Sequence, residues 1–107
     1  MVTRGEIYWA DTGPASGRRP VVVVTRASAL RFLGSITVAH ITTTIRNNDS
    51  VVPVGSQEGL PRPSIVNCDN LLTIPRASLD AQPVGRLVGR KISELNEALR
   101  YALGIPG

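Results

Sequence analysis

The sequence predicts a small, mainly β domain with one α-helix at its C-terminal end, arranged as a small barrel or sandwich. Three observations carry this. Short, β-branched runs alternate with clusters of Gly, Pro, Asn and Asp from Glu6 to Leu87. The apolar spacing changes to a helical period only beyond Lys91. A chain of 107 residues can bury one core and not two, so residues 1–107 are expected to form a single domain.

Glu6 to Ala10 reads as the first strand, and Asp11 to Gly17 as a loop rich in turn formers. Pro20 opens a second strand, Val21 to Thr25, a place where a strand tolerates proline. Its apolar residues occupy both parities, which predicts burial on both faces. Ala27 to Phe32 suggests a short helical turn, and Ser35 to Thr44 is the third and most β-branched run. After a turn at Arg46-Asn47-Asn48-Asp49, Val51 to Val54 forms a strand, and Gly55 to Pro63 is a loop with two prolines. Ser64–Cys68 and Leu71–Ile74 are predicted as two further strands, and Gln82–Leu87 holds one more short one. Ile92, Leu95, Leu99 and Ala102 then follow helical spacing, with Glu94, Glu97 and Arg100 off the stripe. Gly104 and Pro106 are stop signals just past the last turn. Val84-Gly85-Arg86 recurs as Val88-Gly89-Arg90, too short a unit to be a structural repeat.

Composition narrows the function. With 42% hydrophobic and 19% charged residues, the chain is neither a disordered tail nor a membrane span. Its longest aliphatic run is Val21–Val24, and Met1–Ala10 has no apolar leader core, so a cytoplasmic location away from membranes is expected. One Cys and one His make a poor metal set, so no metal and no cofactor is expected. Cys68, inside an apolar stretch, is expected to be a buried structural thiol. The net charge is +4, and every basic residue except Lys91 is Arg. Arginine forks pair bidentately with phosphate, which leans toward nucleic acid. A genome rich in Arg codons gives the same bias, so charge alone does not decide.

No histidine pair, obvious Ser-His-Asp set, Cys/His metal spacing or glycine-rich phosphate loop is present. Two segments remain as candidates. In Arg18-Arg19-Pro20 the proline biases Arg19 toward extended backbone, which suits a phosphate clamp and equally a solvated arginine. In Thr42-Thr43-Thr44 the first and third threonines share a face, a pattern that β propensity also produces. Their juxtaposition says more than either. If Val21–Thr25 and Ser35–Thr42 form an antiparallel hairpin with Thr25 opposite Ile36, Arg19 falls opposite Thr42, with Cβ atoms roughly 4.5–5.5 Å apart. The intervening loop leaves room for a slip of one or two residues.

Taken in order, several segments resemble the MazF/PemK toxins along nearly the whole chain. They are Arg4-Gly5-Glu6-Ile7-Tyr8-Trp9, Gly17-Arg18-Arg19-Pro20 with the valines after it, and Val38-Ala39-His40-Ile41-Thr42-Thr43-Thr44. Leu60-Pro61-Arg62-Pro63-Ser64-Ile65-Val66 and Ala98-Leu99-Arg100-Tyr101-Ala102-Leu103-Gly104 complete the set. The resemblance implies an SH3-like barrel with a C-terminal helix, usually a homodimer. It also implies sequence-specific cleavage of single-stranded RNA and a cognate antitoxin, here expected to be acidic. The family's arginine before the proline corresponds to Arg19, and its threonine after the third strand's apolar run to Thr42. Arg18, Thr44, Arg46 and Ser64 are the expected substrate contacts around them. Asp69 and Asn70 match the family's base-reading pair, although by residue type they equally suit a turn. His40, sharing parity with Thr42, is a possible acid or base, and a packed histidine is the competing reading.

The chain departs from the family pattern at three places, which bears on the recognition sequence more than on the activity. The Asp11–Arg18 loop is short, Pro63 stands where an acidic residue is common, and His40 replaces a proline or small residue. Attack by the RNA's own 2′-OH needs neither metal nor protein nucleophile, only charge stabilisation, in-line geometry and management of two protons. The rivals are a gyrase poison of the CcdB type and a non-catalytic RNA-binding barrel. The first is implied to act through an aromatic C-terminal tail, where this sequence has Gly104-Ile105-Pro106-Gly107. The second wants exposed aromatics; of the few present, Trp9 and Tyr101 are expected in the core.

Overall fold

A computed structural model describes residues 1–106 as one curled antiparallel sheet with a C-terminal helix. The strands are β1 (Glu6–Asp11), β2 (Arg18–Val23), β3 (Ser35–Thr42), β4 (Val51–Val54), β5 (Ser64–Pro75) and β6 (Gly85–Arg86), followed by α1 (Arg90–Ala102). Their spatial order is β4-β5-β3-β2-β1-β6.

The sheet separates two apolar clusters, which is why the valine run has no polar face. Val22 joins Ile7, Ala39, Ile41, Val66 and Leu95 on one side. Val21 and Val23 join Tyr8, Ile36, Val38 and Leu30 on the other. The predicted two-sided burial of this strand is therefore observed. Its bounds move, however: β2 begins at Arg18 and ends at Val23, because Ala10–Arg19 and Asp11–Arg18 extend its ladder with β1 back past Pro20. The Ala27–Phe32 region holds a single 3-10 turn at Ala27–Ala29, in which Ala29 is buried, and Leu30 just after it joins the second cluster.

Ser64–Cys68 and Leu71–Ile74 are not two strands but one. Ala39 pairs with Leu71 and His40 with Asn67, so Cys68, Asp69 and Asn70 bulge out of the ladder while β5 runs on. Asp69-Asn70 is accordingly a bulge and not a turn. The bulge bends β5 so that its first half pairs with β4 as well as β3. Cys68 is buried there, and burial pushes its thiol pKa up to about 11, an inert group as expected.

The two ends of the sheet meet where β6 passes the turn after β4. A Cβ on Gly85 would stand 2.0 Å from the Glu58 carbonyl oxygen, and one on Gly59 2.4 Å from that of Val84. Only a backbone bare of side chains allows this approach. Helix α1 covers the adjoining apolar cluster with Leu95 and Ala98 fully inside and Ile92, Leu99 and Ala102 partly so. Its end is a Schellman arrangement: the Gly104 N–H donates to Tyr101 O and the Ile105 N–H to Arg100 O, with Gly104 at φ +67°. Tyr101 departs from its expected core position. It is 62% exposed, because the buried stripe runs through Leu95 and Ala98. No helix is long and apolar enough to cross a membrane among the described residues.

Candidate active site

The start of β2 and the end of β3 lie side by side. Val21 pairs with His40, Val22 with Ala39 and Val23 with Val38, the predicted register; the ladder stops there, so Arg19 and Thr42 are not paired in the sheet but meet as lining of the space beyond it. Beyond those pairs a cleft opens. Arg19, Ile41 and Thr42 form the shared wall between its two halves.

The polar half, a cavity of about 250 Å³, is lined by His40, Thr44, Arg46, Asn67 and Asn70 besides the shared wall. Arg19 is exposed, and its Nε donates to Ser16 O at 3.0 Å, which orients the guanidinium and leaves its terminal nitrogens for a ligand. The Thr44 N–H donates to Thr42 Oγ1 at 3.1 Å. The Thr42 hydroxyl therefore keeps its own proton to give to an acceptor in the cleft. His40 is half-buried, and burial, then the neighbouring Arg19 charge, hold its pKa below the usual histidine value. It is the neutral imidazole at physiological pH.

The sequence-matched pair Asp69 and Asn70 is split. Asn70 lines the polar half, whereas Asp69 Oδ2 accepts a 2.5 Å hydrogen bond from Ser50 Oγ and does not line either half. Asn48 Oδ1 accepts from the Ser50 N–H at 2.8 Å, so Asp69 ties the Arg46–Ser50 turn to β5 through the Ser50 hydroxyl.

The other half, about 360 Å³, is bounded by Trp9, Pro20, Leu60 and Pro61, with Arg18 and Arg62 beside them. Ser64 lines it too, but is buried and donates its hydroxyl to Arg62 O at 3.0 Å. Arg18 is already engaged: Nη1 and Nη2 donate to the two Asp80 carboxylate oxygens at 2.8 and 2.7 Å. That pairing raises the Arg18 pKa and lowers that of Asp80. Trp9 is half-buried and faces the cleft rather than the core. Sequence reasoning missed Trp9, Leu60, Pro61 and Arg62 as a group, and Asn67 in the polar half. Only Asn67 carries a signal of its own, as a polar residue in an otherwise apolar strand segment.

Elsewhere arginine serves structure. Arg4 Nε donates to Val24 O, and Arg76 to Leu30 O and Leu33 O, so the arginine bias is not all a ligand signal. No cluster of three or more His, Cys, Asp or Glu is placed to hold a metal ion among the described residues.

The chain is similar to known proteins along nearly its whole length. A family described as PemK-like, MazF-like toxin of type II toxin–antitoxin system matches residues 3–103. Endoribonuclease MazF3 of Mycobacterium tuberculosis is 42% identical over 86 residues, covering 80% of this chain and 79% of that protein. The solved structure of Mycobacterium tuberculosis toxin MazF-mt6 superposes with a TM-score of 0.87 at 36% identity, covering 95% of this chain and 99% of the other. A mycobacterial endoribonuclease solved in complex with its cognate antitoxin gives 0.89 at 28% identity, covering 100% and 99%.

Proposed function

The chain belongs to the PemK-like, MazF-like toxins of type II toxin–antitoxin systems, and from that premise we propose how it cleaves RNA. It is an endoribonuclease toxin. The scissile phosphate of single-stranded RNA lies against Arg19 and Thr42, with the flanking nucleotides in the two halves of the cleft. The observation that carries this reading is that Arg19 and Thr42, from different strands, form the one wall common to both halves.

The 2′-OH gives up its proton to solvent water and attacks phosphorus; the O2′–P bond forms, the P–O5′ bond breaks and the leaving O5′ takes a proton from water, leaving a 2′,3′-cyclic phosphate and a 5′-hydroxyl. Negative charge grows on the non-bridging oxygens as phosphorus becomes five-coordinate. Arg19 is fixed from behind by Ser16 O and meets that charge with its free nitrogens. Thr42 donates its hydroxyl proton to one phosphate oxygen. Arginine stays charged far above neutral pH, so its role is electrostatic and not that of a base. Neutral His40 has a lone pair available to a proton. Thr44, Arg46 and Asn70 hold the nucleotide in the polar half.

Arg19, Arg46 and Arg62 make the cleft cationic, which suits an acidic antitoxin segment that occupies the RNA site and blocks cleavage. The protein acts in the cytoplasm as a homodimer; Tyr101, Leu103 and Ile105 leave apolar surface at the end of α1 for such contacts. Light scattering at micromolar concentration should give twice the 11.4 kDa chain mass.

The reaction is tested by its products. Cleavage of a single-stranded RNA should persist in excess EDTA and give fragments with 5′-hydroxyl and cyclic-phosphate ends. Dependence on added Mg²⁺, or 5′-phosphate ends, would overturn the mechanism.

A further inference from the structure

Arg18, Trp9 and Asp80 are knitted together more tightly than a substrate contact requires. Trp9 pairs with Pro20 and Asp11 with Arg18, so Trp9 and Arg18 are diagonal neighbours on one face of the sheet. The Arg18 guanidinium carbon stands 5.9 Å from the centre of the Trp9 ring, within cation–π reach of roughly 6 Å. Asp80 grips that guanidinium with both oxygens, and its own N–H donates to Trp9 O at 2.9 Å. A fork already holding a carboxylate on two nitrogens is a poor phosphate clamp. It is a good rigid plane.

We propose that Trp9 and the Asp80-held Arg18 together form one wall of a stacking slot for the nucleobase on one side of the scissile phosphate, with Asp80 as the positioning residue. The slot rests on the reading of the cleft as the RNA site. Its cavity, about 360 Å³, falls within the usual range for small-molecule sites of about 300–1,000 Å³. Pro20, Ile41, Leu60 and Pro61 supply apolar walls; of the polar lining, Ser64 spends its proton on Arg62 O, while Thr43 and Arg62 stand beside these walls and Thr42 belongs to the shared wall. Such a lining favours a base face over a base edge. This half holds a base with little regard to its identity, while Asn70 and Asn67 in the other half supply edge-reading groups. Asp80 also cancels one cationic charge at the cleft, which keeps Arg18 from binding backbone phosphate at random.

Trp9 is the chain's sole tryptophan, so its fluorescence reports on the slot directly. The probe is a single-stranded oligonucleotide carrying the mapped cleavage sequence, with a 2′-deoxy sugar at the scissile nucleotide. It should quench Trp9. An abasic nucleotide at one of the two flanking positions should remove the quench and weaken binding between about fivefold and a hundredfold. Asp80→Asn should shrink that abasic penalty below twofold and steepen the slope of log K against log salt by about 0.7, the contribution of one freed cation. Asp80→Glu should restore both. The slot is overturned if neither abasic position changes the quench, or if Asp80→Asn leaves penalty and slope at their original values. If cleavage still depends on Arg19 in that case, only the slot falls; if the protein cleaves no RNA, the underlying reading falls with it.

Discussion

The two halves of the cleft share Arg19, Ile41 and Thr42 and otherwise differ in kind. One is lined by hydroxyl, amide and imidazole groups set by the bulge in β5 and the end of β3. The other is built from an indole, two prolines and aliphatic side chains, with arginines that are partly spoken for. Polar groups discriminate among bases because an unmatched partner leaves a desolvated donor or acceptor unpaired. Apolar faces bind without discriminating. On the proposed reading, a single cleft divides specificity from affinity, with Arg19 and Thr42 on the wall between them.

The same division decided what was legible in the sequence. Arg19, Thr42, His40 and Asn70 stand out because their side chains announce chemistry, and a strand register fixed by valines brings the first two together. Trp9 and Pro61 look like core residues, and their exposure to a cleft depends on how the loop before β5 folds over β1 and β2; Leu60 is a core residue whose edge reaches that cleft. Asp69 was expected between two strands, whereas it lies in a bulge of one, and its contact with Ser50 follows from a register shift between β3 and β5 that local sequence does not encode. Tyr101 shows the same limit on the helix. Period 3.6 locates the stripe, and packing against β4 and β5 selects Ala98 over its larger neighbours.

The largest expected effect lies on the dividing wall. Arg19→Ala should lower kcat on the order of 10²–10³-fold with the fold intact by circular dichroism, since a preorganised charge is lost at the transition state. Arg19→Lys should fail as well, because a point charge cannot replace the fork. Near-normal single-turnover rates in both variants would remove the wall from the chemistry and with it the meaning of the two halves.

Thr42→Val keeps the β-branched shape and deletes only the hydroxyl, so it separates chemistry from packing. A drop in kcat of roughly tenfold to a hundredfold, with KM little changed, fits a hydrogen bond made mainly in the transition state. A rise in KM alone would move Thr42 from the reaction to ground-state binding.

Asn70→Ala sharpens the contrast between the halves. The preference for the best base over the next should contract by about 1–3 kcal/mol at one position flanking the cut, measured as a ratio of kcat/KM values on substrates differing there. Preference at the other flanking position should not move. Equal relaxation at both would mean that the halves do not read separately.

His40 should give the smallest effect. If catalysis rests on charge and alignment at the wall, as proposed, His40→Ala should retain at least a tenth of the activity. Its burial still leaves a mark on stability. Because the folded pKa lies below the unfolded value of about 6.5, the unfolded chain binds more protons as pH falls through that region. His40 therefore favours the folded state fully above pH of about 6.5, and that advantage is lost as the pH falls through its lower folded value. Urea midpoints should decline over this acid window in the original protein and decline less in His40→Ala. A hundredfold loss of activity in a folded His40→Ala variant would make the imidazole the proton acceptor and shift part of the chemistry off the wall into the polar half.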